Sequence, residues 1–540
     1  MTWSTWVIVG ALLLIAQDGT SPAPLPKLDC VIDYGNQRFA AVFRYENSSG
    51  RPLIVEPGAE NYLDPPVADA DLPGIFRPIA SNGIPDVRFE VPLTGETLTW
   101  VLKDQSATAN ADSPACEIEH PVRLQVYPDD HRQTISGFGG AYVFRFSKTM
   151  DKGLTDQVAE ITYDTFAPTH MRFEIPLDLW ESTNDNDDPL HIDFDGFTIN
   201  ERMEATFDYM LRGQADGALI HASVWNAPDW MVENPETSRH RIVPAENYDE
   251  LVESLLAYLL YARDERGINI DTVSFNEPDI GVFVEYTPDE LVDIMLRSAS
   301  RFEEADLSTR WALAETSNMA NALENARAMW ENQSVHPYVQ AWAYHSWDAA
   351  GEGTLRENSE WAESVGLQTW ITEVGYDPQL YFTPEEFETW DNALQLAAVY
   401  SKLYKASGMN VPFYWEMIDD YRLLSADGSR YFPAFTFLRL LRETLPVGSI
   451  ITESGPDIVG VHYFAVVLPD DGMTLMIVNI SPQSTGVEVE GMLQGQYAHY
   501  RLSETEELAH IGAFLIADDN PRFFLPGESI TFITTLTSIE

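Results

Sequence analysis

Lysine is nearly missing from this 540-residue chain, which has Lys27, Lys103, Lys148, Lys152, Lys402 and Lys405 and no others. With arginine included, 32 cations face 85 Asp and Glu, a formal charge of −53. A surface that acidic repels nucleic acid and anionic membranes, so neither is an expected partner. The charge reads as a solvated shell suited to a salty medium, and it predicts neither fold nor substrate. Cysteine is equally scarce. Cys30 and Cys116 stand alone, and no C-x-x-C spacing exists, which excludes cysteine-based zinc sites. Past the N-terminus no segment reaches the roughly 18 uninterrupted apolar residues that a membrane span requires.

The N-terminus reads MTWSTWVIVGALLLIAQDG. Its apolar run from Trp6 to Ala16 is too short to span a bilayer and fits a secretory signal over residues 1–20. No basic side chain precedes it, so a retained anchor is the alternative. Signal removal would leave a secreted, periplasmic or cell-surface protein with no stable membrane insertion. In that setting two cysteines are the minimum for one disulfide, the alternative being two free buried thiols. A Cys30–Cys116 bridge would close about 85 residues and stabilise by about 4 kcal/mol in the chain-entropy model.

Residues 21–27 are Pro-rich and read as a linker. From 28 to 120, short alternating runs such as RFAAVFRYEN and ETLTWVL, separated by Asn, Ser, Gly and Pro turns, predict a small β-sandwich accessory domain. After Val122 strand-like runs alternate with long amphipathic helical patterns, as in a parallel α/β fold. YDELVESLLAYLLYARDERG is the clearest helix, with Leu251, Leu255, Leu259 and Ala262 on one face and Gly267 as its stop. Thr287-Pro288-Asp289-Glu290 and Thr383-Pro384-Glu385-Glu386 read as capping boxes, the second opening a helix that reaches Ser407. Eight strand candidates (TISGFGGAYVF, THMRFEI, ALIHASVW, TVSF, RWALAE, VQAWAYH, LQTWITEV and VPFYWEMI) predict a (β/α)8 barrel over 135–443. Strand grammar returns over 444–540 as a second β-sandwich, which residues 121–134 are expected to join.

In such a barrel the C-terminal strand ends share one mouth. Here those exits carry Asn276-Glu277, Glu315, His345, Glu373 and Trp415-Glu416. Two carboxylates at one mouth are what glycosidic hydrolysis requires: one protonated to release the leaving oxygen, one ionised to attack the anomeric carbon. Glu277 is the candidate acid/base, with Trp225 supplying an apolar wall. Glu373 is the candidate nucleophile, held ionised by a cation such as Arg172. Asn276 is placed to donate to a sugar hydroxyl, and Glu315, Glu416 and Glu174 are rivals for the acid roles. Trp225, Trp230, Trp342, Trp347, Trp370 and Trp415 suit either barrel packing or stacking on sugar faces. The acidic cluster Asp185, Asp187 and Asp188 resembles a calcium loop only loosely.

Taken together, these motifs resemble glycoside hydrolase family 30. QTISGFGGAY is similar to that family's GFGG first strand, and MRFEIPLDLW to its Arg-bearing second strand. VWNAPDWM is similar to its third-strand exit, SFNEP to its acid/base motif and WITEVG to its nucleophile strand. VPFYW resembles the eighth strand, and LPGESITFITTL the closing strand of its side β-domain. The resemblance runs from Val122 onward and implies a retaining endo- or exo-β-glycosidase acting on β-linked oligo- or polysaccharides. It implies Glu277 as acid/base, Glu373 as nucleophile and Asn276 as partner of the sugar 2-hydroxyl. Arg172, Asp178, Trp225, His345 and Trp415 would contact substrate. No cofactor and no metal are expected, and a monomer is. One departure is visible: where the family often places a Tyr beside the nucleophile, the nearby aromatics here are Tyr344 and Trp347.

Overall fold

The computed structural model describes residues 23–539 apart from 36, 50, 68, 69, 71, 79–87, 144–157, 159, 378–382, 418–420, 426, 427, 518, 519 and 538. The expected signal, 1–20, and the first two linker residues lie outside the described residues. The chain divides into two compact units, Met1–Glu119 and His120–Glu540.

In the first unit the β grammar folds as three small antiparallel sheets around one apolar core. Leu25–Asp33, Phe39–Glu46 and Arg88–Pro92 form one sheet; its first strand starts inside the segment read as linker, Leu25 opposite Glu46. Asn61–Asp64, Thr97–Leu102 and Gln105–Asn110 form the second, and Leu53–Ile54 with Ile75–Phe76 the third. Alternation in Thr97–Leu102 turns Leu98, Trp100 and Leu102 inward. Trp100 packs edge-on against Phe89, 4.8 Å between centroids, and its Nε1 donates to Asn61 Oδ1 at 2.9 Å, so burial leaves no orphaned indole donor. Cys30 and Cys116, 86 residues apart, form a disulfide. Closing that loop approaches the ~4.7 kcal/mol that the chain-entropy model assigns to ~100 residues.

The second unit is built on a closed parallel barrel of eight strands. They are β1 (Gly139–Tyr142), β2 (His170–Pro176), β3 (Leu219–Asn226), β4 (Thr272–Phe275), β5 (Arg310–Thr316), β6 (Val339–His345), β7 (Gln368–Val374) and β8 (Met409–Tyr414). Every residue of β2 and β4 is buried, because helices cover the outside while side chains fill the inside, so these strands show no alternation. The GFGG of β1 reflects close packing. A Cβ on Gly139 would stand 2.6 Å from the His170 carbonyl oxygen, and one on Gly140 2.5 Å from Met417 Cγ.

Helices follow the strands as the periodicity predicts. Tyr248–Asp264 buries Leu251, Leu255, Leu259 and Ala262, and Gly267 follows at φ +71. Pro288–Glu304 carries the predicted capping box at Thr287 and Glu290. The helix expected from Thr383 to Ser407 is instead two pieces, a 3-10 turn Pro384–Glu388 and an α-helix Trp390–Ala406. Thr389 is extended at φ −93, ψ 160, and its hydroxyl accepts from the Asn392 N–H, starting the helix afresh.

Beside the barrel lies a nine-stranded sheet. Val122–Thr134 enters it twice, pairing parallel with Thr485–Glu490 and antiparallel with Ile450–Ser454. The sheet is apolar on both faces. Tyr463, Ala465, Leu475 and Ile477 join a core with Val487 and Leu525, whereas Phe464, Val466, Met476 and Val478 face the core that continues into the barrel helices. Phe464 stacks on Tyr404 of Trp390–Ala406 at 5.1 Å. Among the described residues no helix is long and apolar enough to cross a membrane.

Candidate active site

Bulges at strand ends aim the polar groups of the barrel mouth. The β5–β6 register slips between Ala314 and Thr316, and Ala314 and Glu315 take left-handed backbone at φ +72 and +44. Glu277, just past β4, is left-handed as well at φ +47, and its N–H donates to the Glu315 carbonyl at 3.2 Å. Left-handed backbone at a non-glycine costs on the order of 1 kcal/mol, so these turns are held by their surroundings.

Arg172 on β2 is fully buried and organises the site. Its Nε donates to Glu315 Oε1 at 2.9 Å and to Ser223 Oγ at 3.1 Å, Nη1 to Glu373 Oε1 at 2.9 Å, and Nη2 to Asn276 Oδ1 at 2.6 Å. One planar fork thus ties β5, β7 and the end of β4 together, which the point charge of a lysine does not do. Trp225 and Trp415 stack on each other at 5.4 Å, each with its ring 5.7 Å from the Arg172 guanidinium carbon.

Glu373, at the end of β7, is 4% exposed and surrounded by donors. Besides Arg172, Trp347 Nε1 donates to Oε2 at 2.8 Å and His345 Nδ1 lies 3.2 Å from the same oxygen. Burial pushes the Glu373 carboxyl up from the ordinary value, the charges of His345 and Arg172 pull it down, and Glu277 raises it again; the net is upward. His345 Nδ1 also reaches Glu277 Oε1 at 3.1 Å, so the imidazole bridges the two carboxylates. Glu277, His345 and Glu373 each bring a ligand-type atom within 4.8 Å of the other two. That spacing would admit a metal ion, but the site's own donors hold these atoms. The Glu373 oxygens bond to Arg172 and Trp347, and a ring nitrogen that serves two carboxylates carries the proton a metal would displace.

Burial lowers the His345 pKa, but Glu373, Glu277 and Glu315 more than reverse this, bringing it to about 9. Folded His345 therefore binds its proton more tightly than the unfolded chain, whose ordinary value is 6.5. Its contribution to stability is complete below about pH 6.5 and is lost as pH rises through about 9. The thermal stability of the wild type is expected to fall across that window, and His345→Asn to lack this fall. Parallel pH profiles of the two proteins would refute the charge assignment.

Glu315 lies beneath this layer, fully buried. It accepts from Arg172, from Ser223 Oγ at 2.9 Å and from Ser274 Oγ, and lies 3.3 Å from His221 Nε2. Burial alone would raise its pKa, yet Arg172 and His221 hold it well below the ordinary value. Glu315 is thus a fixed anion under Arg172, out of reach of a substrate. The cleft above, about 630 Å³, is lined by Glu277 and Glu373 with Trp225, Trp347, Trp415, Phe283 and Tyr421. Glu416 and Asp377 add acid to its lining, and Arg239 adds a cation.

Asn276 is 1% exposed, and its Nδ2 makes no hydrogen bond among the described residues, a spare donor beside Glu277. Arg172 and His345 have no exposed surface and stand behind the carboxylates rather than in the cleft. Asp178 accepts from Asn226 Nδ2 at 3.0 Å and is not among the described cleft residues; Asn226 in turn accepts from Arg241 at 2.7 Å. Glu174 is buried, its charge felt by Tyr258. Tyr344 turns away toward the Ser407 carbonyl, 3.5 Å, so the aromatic on the Glu373 carboxylate is the Trp347 indole. Sequence reasoning gave Trp347 no role on Glu373 and passed over Tyr421 and Asp377, since their loops carry no strand periodicity.

No protein-family model and no curated protein matches the chain. Solved structures do. The chain is similar to a GH30 endoxylanase from Clostridium papyrosolvens C71, with TM-score 0.60 and 18% identity over 77% of this chain and 100% of that one. It is similar to the catalytic domain of GH30 xylanase C from Talaromyces cellulolyticus, with TM-score 0.62 and 16% identity over 77% and 100%. An endo-β1,6-glucanase aligns with TM-score 0.53 and 15% identity over 78% and 94%. At these identities the likeness is one of fold.

Proposed function

We propose that this chain, which has the fold of the family 30 glycoside hydrolases, is an exported retaining β-glycosidase acting on β-linked oligo- or polysaccharides. The observation that carries the reading is the pair Glu277 and Glu373, with oxygens within 4.8 Å of each other under an aromatic cleft. A retaining mechanism needs its carboxyl groups ≈ 5–5.5 Å apart, too close to admit a water between them and the sugar. Glu373, oriented by Arg172 and Trp347, attacks the anomeric carbon. The bond to the leaving oxygen breaks as Glu277 gives that oxygen its proton. Water then attacks the glycosyl ester, Glu277 takes its proton, and the Glu373 carboxylate returns.

His345 fits both half-reactions. Before attack Glu373 is the anion and Glu277 the acid; after it, Glu373 is an ester and Glu277 the anion. An imidazolium 3.1 Å from one and 3.2 Å from the other faces one negative charge of the pair at each stage, with the fixed anion Glu315 3.9 Å from its Nε2 throughout. The free Nδ2 of Asn276 supports a contact to a hydroxyl next to the reacting carbon. The Cys30–Cys116 disulfide supports export.

β-Xylan and β-1,6-glucan head the panel of substrates, since similar structures are named for those activities. NMR of the first product released is expected to show the β-anomer. A first-formed α-anomer would refute retention. Binding without turnover of any β-glycan would leave a glycan-binding barrel and refute the enzyme.

A further inference from the structure

The loosely calcium-like stretch after β2 changes character beside its neighbouring helix. Glu250 and Glu253 stand three residues apart on one face of Tyr248–Asp264. Glu181 follows the short helix Leu177–Trp180, and Asp185 lies four residues on. Glu181 Oε1 accepts from the Asp185 N–H at 3.2 Å, and Asp185 Oδ2 from the Asp193 N–H at 2.6 Å. Each keeps its second oxygen, Oε2 and Oδ1, buried and without a partner. Glu253 is 0% exposed, yet neither of its oxygens has a partner, and Glu250 Oε2 has none. Glu250 and Glu253 lie within hydrogen-bonding reach of each other, and the strongest charges acting on Glu253 are all carboxylates: Asp185, Glu250 and Glu181.

Buried anions without donors must take up a proton or a cation. Burial and these charges push Glu253 up to about 9, so a proton shared with Glu250 would relieve that pair. It would leave Asp185 Oδ1 without a donor and Glu181 with the Ser254 hydroxyl alone beside it, whereas one ion can take an oxygen from each of the four residues. The donor set is all hard oxygen, with no imidazole or thiolate, which selects calcium or magnesium over transition metals. These oxygens are not yet at ligand spacing, because the only described triple within 4.8 Å is Glu277, His345 and Glu373. The ion must therefore draw them in and keep water in its shell, which suits the flexible sphere of calcium better than the strict octahedron of magnesium. We propose that Glu181, Asp185, Glu250 and Glu253 hold a calcium ion that fastens the loop after β2 to the helix Tyr248–Asp264.

The test uses the full chain stripped with chelator, then titrated with calcium chloride against sodium chloride of equal ionic strength. Calorimetry is expected to show one calcium site. At about a hundredfold excess over its Kd, calcium should raise the melting temperature by about 3 °C or more. Glu253→Gln and, separately, Glu181→Gln should lose that rise, and Glu253→Gln should melt higher than wild type in chelator because one repelling charge is gone. Glu236→Gln, on the surface, should keep the rise. No calcium heat, a shift equalled by sodium, or a rise that survives in the Glu181→Gln/Glu253→Gln double variant would overturn the site. The first of these outcomes would leave the proton-sharing pair as the answer.

Discussion

Glu373→Ala is expected to lower kcat by on the order of 10⁴–10⁶-fold, the scale at which removing a nucleophile leaves only binding and electrostatics. Glu277→Ala should cost about 10²–10⁴-fold on natural glycans, the usual reach of a positioned acid. The two losses differ in kind. With an activated aryl leaving group that needs no proton, Glu277→Ala should still form the glycosyl ester in a burst and stall before hydrolysis. Azide separates the roles further. In Glu277→Ala it attacks the ester and yields a β-glycosyl azide; in Glu373→Ala it fills the nucleophile's place and yields the α-azide. Exchanged anomers would exchange the roles, and full activity in both variants would remove the pair from the mechanism. Circular dichroism and melting curves accompany each variant, since both side chains are buried or nearly so and loss of fold would imitate loss of chemistry.

Arg172→Met should be the most damaging substitution to stability. Methionine approximates the volume, but Glu315 is left buried with serines and His221 as its remaining partners, and Glu373 loses its guanidinium. Breaking a buried pair from one side costs about 3–5 kcal/mol because the surviving charge is uncompensated. The sign follows Glu315: its folded pKa is held well below 4.5, so its stabilising contribution is present above that pH and lost on acidification. Denaturant unfolding near neutrality should show the full deficit. Arg172→Met/Glu315→Gln should recover part of it, since the orphaned charge is gone. Arg172→Lys should fall between, keeping charge without the fork that reaches Glu315, Glu373 and Asn276 at once. An Arg172→Met protein as stable as wild type would show that Glu315 finds its compensation elsewhere.

Much of this architecture was legible because periodicity and turn chemistry are local. Each of the eight strand candidates overlaps one barrel strand, four of which run one or two residues past the candidate, and the capping box at Thr287 closes as read. The helix break at Thr389 was not legible: a threonine that ends one turn and caps the next looks the same as one inside a helix. Glu277 and Glu373 stood out as acids at strand ends, where a packed barrel has no use for an unpaired charge. Yet strand ends alone could not separate Glu315 from them, since all three follow apolar runs.

What the sequence by itself determined, then, is whatever depends on neighbours along the chain: the strands, the helices Tyr248–Asp264 and Pro288–Glu304, the glycine-rich start of β1 and the candidate carboxylates. Tertiary structure decided depth and company. A bulge in β5 turns Glu315 down beneath Arg172 as a buried counter-ion, while Glu277 and Glu373 face the cleft. His345 becomes a bridge, Asp178 goes to Asn226, and an indole from Trp347 sits on Glu373 where a tyrosine was sought. Burial and Coulomb energies depend on groups that are a hundred residues away in sequence and three ångströms away in space, and no local pattern encodes that distance.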